Sequence, residues 1–479
     1  MWRPRVFAVA APRPATGASP VRHVSSAAPP GPDGRRPPSI PTLGTVTIAP
    51  LPPGLRVRTR PVADGDLLDL LPDERPLCWI RDGEGFVGWG EVARFTAVGP
   101  RRFAEADTWW RAFTAELDVR DEVDAEGTGP VAFTSFTFAD LSPGSVVVVP
   151  RVVVGRAGGR AWVTEITGNT PTGMRSVRRV RPTGPLRWTD GRLPVDGYRR
   201  AVAEAVRRMR SGALDKVALA HDLLAVADEP LDPRFLLGGL ARRYPSCWSF
   251  AVDGLVGATP ELLLRRSGAT VSSRVLAGTA WSEDAAPADA AALAGQLLSS
   301  EKDRWEHALA VESLAAALRP LCAELDVPET PGVLALHNVS HLASDVHGKL
   351  DQDDPPSLLR LAAAVHPTAA VGGTPRNAAV ALIAELEGMD RGRYAGPVGW
   401  MDADGNGELG IALRCAHLDG ATARLFAGCG VVADSDPDVE VREAAAKLRP
   451  VREALAGGDR RRQVMTWEER RRPTPPPHP

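Results

Sequence analysis

Hydrophobic and polar positions follow two different periods in the middle of the chain. Between residues 195 and 212 apolar side chains recur every three or four residues, which predicts a helix. Gly212 is expected to end that helix, because glycine favours the conformation that follows a helix C-terminus. Residues 216–221 then alternate as in a strand. Helical and strand-like segments therefore follow one another closely here.

The same two patterns recur over most of the chain and predict a mixed fold. Further helices are predicted at 287–326, 376–386 and 438–456. Further strands are predicted at 145–154, 396–401, 409–416 and 423–432. We therefore expect an α/β (α+β) protein in which sheets pack with helices.

The two ends of the chain differ from its middle. Residues 1–52 are rich in Pro, Ala, Ser and Arg and lack hydrophobic periodicity, and residues 459–479 are mainly charged residues and proline. The first segment is predicted to be a disordered extension, and the second is predicted to be a disordered tail. No Pro/Ser-rich linker interrupts the rest. We expect one large domain with an N-terminal part at 53–190 and a catalytic part at 191–458.

Composition narrows the possible functions. The formal net charge is −2, so no basic surface for nucleic acid is indicated. No apolar run approaches the roughly 20 residues that span a bilayer, and no membrane partner is expected. The five cysteines are odd in number and form no CxxC pair. This usage is typical of a cytoplasmic protein without a disulfide framework or a cysteine zinc site.

Lysine is rare in this chain. Only four of its 57 basic residues are lysines, namely Lys216, Lys302, Lys349 and Lys447. Arginine can carry surface charge but cannot act as a base, whereas a desolvated lysine can. The remaining lysines are therefore candidates for positions that need an ammonium group, although chance survival on the surface explains any one of them equally well. Lys302 is interpreted as structural.

Two acidic pairs are candidates for a metal site. Asp303 and Glu306 are three residues apart in one predicted helix, and Glu440 and Glu443 have the same spacing in another. Residues with this spacing share a helix face. If the two faces oppose each other, four carboxylates converge, which suits a hard cation such as Mg²⁺. The alternative is that both pairs lie on ordinary solvated helix faces.

From about residue 195 to 450 the chain resembles the chorismate-utilising enzymes, in particular the isochorismate synthases. Nine segments appear in the order typical of that family. They are DKVALAH at 215–221, GATPELLLRR at 257–266, RVLAGT at 274–279, SEKDRWEH at 300–307, HLAS at 341–344, HPTAAVGGTP at 366–375, ALIAELEGMDRGRYAGPVGW at 381–400, ALRCA at 412–416, and RLFAGCGVV at 424–432 followed by EVREAAAKL up to 448.

The resemblance implies that Lys216 is a general base and Glu261 a general acid. Lys216 would take a proton from the attacking water, and Glu261 would protonate the departing hydroxyl on the opposite face of the ring. The pKa of Glu261 should then be raised, and the apolar residues that follow it are compatible with partial burial.

The resemblance also implies a Mg²⁺ cofactor and a set of contacts to the substrate, chorismate. Glu306 and Glu443 match the metal ligands of the family, with Asp303 and Glu440 as nearby or water-mediated partners. The metal would bind the ring carboxylate and stabilise charge during the displacement. The positions that match substrate-binding residues are Gly278, Thr279, His341, Ala370, Arg414, Gly428 and Lys447.

The predicted activity is the isomerisation of chorismate to isochorismate by addition of water at C2 and loss of the C4 hydroxyl. Salicylate synthases go on to eliminate pyruvate, but they tend to carry threonine where this chain has Ala370. Anthranilate and aminodeoxychorismate synthases use ammonia, and the anthranilate type lacks a lysine at the position of Lys216. An inactive chorismate-binding regulatory subunit is a further alternative. We expect a monomer without an obligatory partner, acting in menaquinone, catecholate siderophore or salicylate biosynthesis.

Overall fold

The computed structural model describes residues 47–48, 54–168, 178–281, 290–336, 339–351 and 355–457. The tail predicted at 459–479 lies outside these residues. The extension predicted at 1–52 also lies outside them, apart from Thr47–Ile48, which form a short strand.

Within the described residues the chain forms 24 β-strands. In chain order they are β1 Thr47–Ile48, β2 Arg56–Pro61, β3 Leu77–Arg81, β4 Glu84–Trp89, β5 Ala93–Ala97, β6 Asp118–Asp121, β7 Val131–Ser135, β8 Ser145–Val149, β9 Val152–Ala157, β10 Arg160–Thr167, β11 Arg187–Asp190, β12 Lys216–Val226, β13 Trp248–Val252, β14 Leu255–Thr259, β15 Leu262–Ser267, β16 Thr270–Trp281, β17 Cys322–Asp326, β18 Gly332–Ala335, β19 Val339–Leu350, β20 Gly373–Thr374, β21 Pro397–Asp402, β22 Gly407–Ile411, β23 Cys415–Asp419 and β24 Thr422–Val431.

The described residues also form eight α-helices and two short 3₁₀ helices, Leu67–Leu70 and Arg319–Leu321. The α-helices are α1 Arg102–Ala115, α2 Val195–Arg210, α3 Pro233–Arg243, α4 Ala290–Ser299, α5 Glu301–Leu318, α6 Leu358–Val365, α7 Arg376–Glu387 and α8 Pro437–Leu455. None of the helices in the described ranges is both long and apolar enough to cross a membrane.

The strands belong to two sheets, so the predicted mixed α/β fold is confirmed. The first sheet has 11 strands in the order β1-β5-β8-β7-β21-β22-β15-β16-β19-β17, with β18 also paired to β19. The second has 13 strands in the order β11-β12-β24-β23-β14-β13-β3-β4-β9-β10-β2-β6, with β20 also paired to β12. Most neighbouring strands within each sheet are antiparallel.

The two sheets contact each other through large side chains, and helices pack against both sheets. The rings of Phe86 on β4 and Trp400 on β21 have centroids 4.5 Å apart. The indole N–H of Trp79 on β3 donates a 2.7 Å hydrogen bond to Glu408 on β22. Helices α2, α3, α7 and α8 pack against the second sheet, and α1, α4, α5 and α6 pack against the first. Both sheets contribute to one continuous hydrophobic core.

Three predicted elements are wrong because each is divided in the structure. The single helix predicted at 287–326 is divided into α4, α5 and strand β17. The break between α4 and α5 lies at Ser300, whose hydroxyl caps the new helix by accepting a 3.2 Å hydrogen bond from the Asp303 N–H. The strand predicted at 145–154 is the two strands β8 and β9. The strand predicted at 409–416 is β22 in the first sheet and β23 in the second. The other predicted elements agree with the structure to within a few residues, except that β12 extends beyond the predicted strand.

Two chain segments pass from one sheet to the other side by side. The first segment joins β14 to β15 and contains Glu261, and the second joins β22 to β23 and contains Arg414. The N–H of Ile411 donates a 3.1 Å hydrogen bond to the carbonyl of Glu261, which holds the two segments together. Two predicted site residues therefore lie on backbone that is fixed by both sheets.

A buried ion pair between Glu387 and Arg391 stabilises strand β12. Their side chains are 0% and 3% exposed. The N–H of Ala220 donates to Glu387 Oε1 over 2.8 Å, and Arg391 Nη2 donates to the carbonyl of Ala218 over 2.6 Å. Arg391 Nη1 also donates to the carbonyl of Val371 over 3.0 Å. The pair therefore connects strand β12 to the backbone that precedes α7 and to the end of α7 itself.

Arg391→Met should destabilise the protein strongly, because it leaves the buried Glu387 carboxylate without its partner. Such losses cost about 3–5 kcal/mol, and urea-induced unfolding would measure the change in the free energy of unfolding. Lys349→Met is the matched control, because the Lys349–Glu324 pair is 68% and 69% exposed and its loss should cost no more than about 1 kcal/mol. Equal effects of the two substitutions would contradict this view of the Glu387–Arg391 pair.

Candidate active site

A cavity lies between β12 and β24 of the second sheet and β16 of the first, beside the two segments that pass between the sheets. About 720 Å³ of space, part of which is open solvent, lies between the surrounding protein atoms. The predicted site residues that line it are Glu261, Gly278, Thr279, Glu306, His341, Ala370, Arg414, Gly428 and Lys447.

Lys216 is fully buried next to the lining residue Glu306 and does not itself line the cavity. It is the first residue of β12, its side chain is 0% exposed, and its Nζ lies 3.2 Å from Glu306 Oε1 on α5. The opposite strand leaves room for this pair, because Gly430 faces Ala218 across the β12–β24 ladder. A Cβ atom at Gly430 would lie only 2.0 Å from Glu306 Oε1.

Glu261 is a buried carboxyl group on the first crossing segment. Its side chain lines the cavity and the residue is 4% exposed. Burial raises the pKa of Glu261 to about 8, because desolvation outweighs the opposing effects of Lys216, Lys447 and Arg414. Glu261 is therefore mostly protonated at neutral pH and is able to donate a proton into the cavity.

The four predicted metal-site carboxylates lie on two helices whose beginnings are capped. Asp303 and Glu306 lie in the first turns of α5, and Glu440 and Glu443 lie in the first turns of α8. Negative charge is favoured there, because the helix dipole is positive at its N-terminus. Glu306, Glu440 and Glu443 are 8%, 0% and 9% exposed, so they are not solvated surface groups.

Each of the three buried carboxylates has a lysine partner. Lys302 Nζ lies 2.8 Å from Glu440 Oε1, and Lys447 Nζ lies 2.6 Å from Glu443 Oε1. The third pair is the one between Lys216 and Glu306. Lys302, which was interpreted as structural, thus pairs with one of the predicted metal-site residues.

Two of the four predicted metal-site carboxylates lie close enough together to share a hard cation. Burial raises the pKa of Asp303, and the neighbouring charge of Glu306 raises it further, as expected where acidic groups are close together. Ligand atoms of Cys429, Glu440 and Glu443 all lie within 4.8 Å of one another, whereas Asp303 and Glu306 are not part of this group. Burial raises the pKa of the Cys429 thiol, which therefore stays neutral and is a poor ligand. Oxygen atoms remain as the donors, and these are what Mg²⁺ prefers.

Arg414, His341 and Thr279 are joined by hydrogen bonds at another wall of the cavity. His341 Nε2 lies 3.4 Å from Arg414 Nη2, and His341 Nδ1 lies 3.1 Å from Thr279 Oγ1. Burial, with the charges of Arg414 and Lys447, lowers the pKa of His341 well below its usual value. His341 is therefore a neutral imidazole at physiological pH.

The three remaining predicted positions also lie at the cavity. Gly278 forms a bulge in β16 with φ of +76°, and a Cβ atom there would lie 3.1 Å from Asp303 Cβ. The carbonyl of Gly428 accepts a 3.2 Å hydrogen bond from Lys447 Nζ. Ala370 contributes only a methyl group to the lining.

Two residues that were not predicted also shape the site. Tyr394 lines the cavity and stacks on Phe426, with ring centroids 5.0 Å apart. His307 on α5 hydrogen-bonds to the Ala277 carbonyl over 3.2 Å and to Ser344 Oγ over 2.8 Å. Burial lowers the pKa of His307 to about 4, so this neutral ring fixes α5 to β16 and β19. Both residues occur in segments that carry the family resemblance, and this location was the sequence feature that could have identified them.

Gly430→Ala should displace the Glu306 carboxylate and weaken Mg²⁺ binding, because the added Cβ would lie 2.0 Å from Glu306 Oε1 and 2.9 Å from Lys216 Cε. We expect the Mg²⁺ dissociation constant, measured by calorimetry, to rise at least about tenfold. Gly295→Ala in α4 is the control, because a Cβ there meets no atom within 4 Å. The same Mg²⁺ affinity in both variants would show that Glu306 does not bind the cation.

Comparison with known proteins extends the resemblance beyond residues 195–450. A sequence family described as "Chorismate binding enzyme" matches residues 74–456. A protein of Pseudomonas aeruginosa named "Salicylate biosynthesis isochorismate synthase" is 34% identical over 406 residues, which are 79% of this chain and 84% of that protein. "Isochorismate synthase DhbC" of Bacillus subtilis is 40% identical over 272 residues, which are 54% of this chain and 68% of that protein.

Solved structures share the fold. The crystal structure of MenF, the menaquinone-specific isochorismate synthase from Escherichia coli, matches with a TM-score of 0.69 and 25% identity, over 85% of this chain and 96% of that chain. The match to the family covers the described lining residues of the cavity and all strands of both sheets except β1 and β2. The chain therefore belongs to the family of chorismate-binding enzymes.

Proposed function

We propose that this enzyme is a Mg²⁺-dependent isochorismate synthase, which adds water at C2 of chorismate and removes the C4 hydroxyl. The proposal depends on two buried groups. Glu261, a mostly protonated carboxyl group, lines the cavity, and Lys216 lies behind the lining residue Glu306, with its Nζ 3.2 Å from Glu306 Oε1. Two relatives named isochorismate synthases support the same reaction.

Glu261 is the proposed general acid. Hydroxide is a poor leaving group, so the C4 hydroxyl must gain a proton as its bond to carbon breaks. A carboxyl group with a pKa of about 8 keeps that proton at neutral pH and can deliver it.

Lys216 is the proposed general base. It is fully buried, and the methyl groups of Ala218 and Ala220 follow it along the wall of the cavity. A neutral amine can take a proton from water as the water attacks C2, whereas an arginine guanidinium cannot.

Glu306 and Glu443 would hold Mg²⁺, with Asp303 and Glu440 beside them. The bound cation would neutralise the ring carboxylate of chorismate and stabilise negative charge that develops during the displacement. Arg414 and Lys447 line the cavity and supply positive charge for the dianionic substrate.

All five cysteines are free thiols, which supports a reducing cytoplasmic location.

The residues at the cavity also bear on the alternatives. An ammonia-using enzyme does not need a base to activate water, yet Lys216 is present and buried. A salicylate synthase would need further chemistry to expel pyruvate, and Ala370 offers only a methyl group where those enzymes tend to carry a threonine hydroxyl. Incubation with chorismate and Mg²⁺ without ammonia, followed by chromatography, separates these activities. Isochorismate supports the proposal, whereas salicylate with pyruvate, or no product, contradicts it.

Activity should depend on Mg²⁺ and on both acidic helices. Glu306→Gln and Glu443→Gln each remove a charged oxygen ligand, so turnover should fall below detection even in protein that circular dichroism shows to be folded. Full activity of the wild-type enzyme in excess EDTA would contradict the metal assignment. Glu312→Gln is the control, because Glu312 also lies on α5 but its side chain is 67% exposed and pairs with Arg319 on the surface.

Substitution of the acid or the base should slow the reaction by on the order of 10²–10⁴. Lys216→Ala and Lys216→Arg should be equally impaired, because a guanidinium stays protonated. Glu261→Gln should be impaired because an amide has no acidic proton to give. Steady-state rates of isochorismate formation provide the measurement, and near-normal activity of Lys216→Arg would mean that another residue is the base.

The pH profile tests Glu261 separately. The reaction needs the protonated carboxyl, and the raised pKa places its loss at about pH 8. The value of kcat/KM should therefore fall as the pH rises through about 8 in the wild-type enzyme. The residual activity of Glu261→Gln should lack this decline, because that variant has no proton to lose. The same decline in both proteins would assign the titration to a different group.

A further inference from the structure

Three residues form a continuous hydrogen-bonded chain at the cavity, and a fourth lies near its end. Arg414 on the second crossing segment contacts His341 on β19, and His341 contacts Thr279, its cross-strand neighbour on β16. The Thr279 hydroxyl also lies near the carboxylate of Glu443 on α8, close enough to favour its ionised form. The chain thus extends from a predicted substrate-binding arginine toward a predicted metal ligand.

The donors and acceptors of this chain can be arranged in only one direction. A guanidinium has only donors, so Nε2 of the neutral His341 must accept from Arg414. The proton of the ring is then on Nδ1, which donates to Thr279 Oγ1. The Thr279 hydroxyl keeps its own proton, which is available to the nearby Glu443 carboxylate. Each group therefore fixes the orientation of the next.

Arg414 is held with one edge available. Its backbone has φ of +47°, an uncommon conformation that is maintained where the chain passes between the sheets. Its Nη2 is directed at His341, whereas its Nη1 is buried and makes no hydrogen bond to the described part of the chain. A buried guanidinium nitrogen without a partner needs an acceptor, and a substrate carboxylate supplies one.

We propose that His341 is a positioning residue, which orients the Arg414 guanidinium toward a substrate carboxylate and, through Thr279, connects that carboxylate site to Glu443. The proposal rests on the proposed function, because it takes chorismate as the ligand. Both ring nitrogens of His341 are occupied by protein groups, so His341 has no free nitrogen with which to exchange a proton with the substrate. Its effect on the reaction is exerted through Arg414.

Two substitutions of His341 separate the two ends of the ring. Glutamine can place an amide oxygen near the position of Nε2 and keep an acceptor for Arg414. Asparagine is shorter and places its amide near Nδ1, so it keeps a donor to Thr279 but loses the acceptor for Arg414. If His341 only fills space, both variants should lose chorismate affinity to the same extent, or the variant whose side chain differs more in size should lose more. Both variants should then also have lower melting temperatures.

The measurement is the chorismate dissociation constant, determined by calorimetry in a Lys216→Ala background that blocks turnover. His341→Asn should weaken chorismate binding about ten- to a hundredfold, the range for losing a hydrogen bond to a charged group. His341→Gln should stay close to the parent value. In enzyme that retains Lys216, His341→Asn should raise KM and leave kcat nearly unchanged, because the lost contact stabilises the bound substrate and the transition state equally. Equal affinities of the Asn and Gln variants would overturn the proposal.

The connection through Thr279 has its own test. Thr279→Val keeps the shape of the side chain but removes the hydroxyl, and Thr279→Ser restores it. Binding of Mn²⁺ alone, followed by electron paramagnetic resonance, should weaken in Thr279→Val and recover in Thr279→Ser. Unchanged Mn²⁺ binding in Thr279→Val would overturn this part of the proposal. If wild-type enzyme forms no isochorismate but these binding patterns hold, the proposed reaction fails and the positioning role of His341 stands.

Discussion

The buried charges of the cavity set the main physical constraint on this structure. Moving an ion out of water costs several kcal/mol even after relaxation, so each buried charge needs a close partner of opposite sign. The chain has only four lysines, and three of them pair with the buried carboxylates of the two acidic helices. The positions of α5, α8 and β12 relative to one another are therefore coupled, since a shift in any of them would separate a pair. The pairs are Lys216–Glu306, Lys302–Glu440 and Lys447–Glu443.

The architecture satisfies this constraint by placing the site where the sheets exchange strands. Glu261 and Arg414 lie on adjacent segments that pass between the sheets, and the hydrogen bond from Ile411 to Glu261 aligns those segments. Small residues on β12 and β24 then keep the cavity open between the charged groups. One wall thus provides a proton donor in an apolar setting, while another provides paired charges. The different environments of the two walls explain how one cavity holds both a protonated carboxyl and ionised carboxylates.

Local patterns predicted much of this structure, and long-range contacts account for the rest. The spacing of Glu440 and Glu443 identified one acidic helix face, because helical periodicity is a local property. The end of β22 at Ile411 could not be predicted, since the apolar pattern continues through the turn into the next sheet. Nor could the pairing of Lys302 with Glu440, which are 138 residues apart. Burial of Glu261 raises its pKa as expected, but the size of that effect depends on both sheets surrounding it.

The crossing of the chain between sheets also has a consequence for folding. Residues that act together at the cavity are brought in from β12, β16, β19 and α8, so no single supersecondary unit contains the site. Pairings between strands far apart in sequence form slowly, because the entropy of closing long loops must be overcome first. A molecule that has formed only one sheet holds neither crossing segment in place. Turnover would then appear only after the two sheets have docked. The recovery of activity in a refolding sample would therefore report completion of the whole fold, not the formation of its parts.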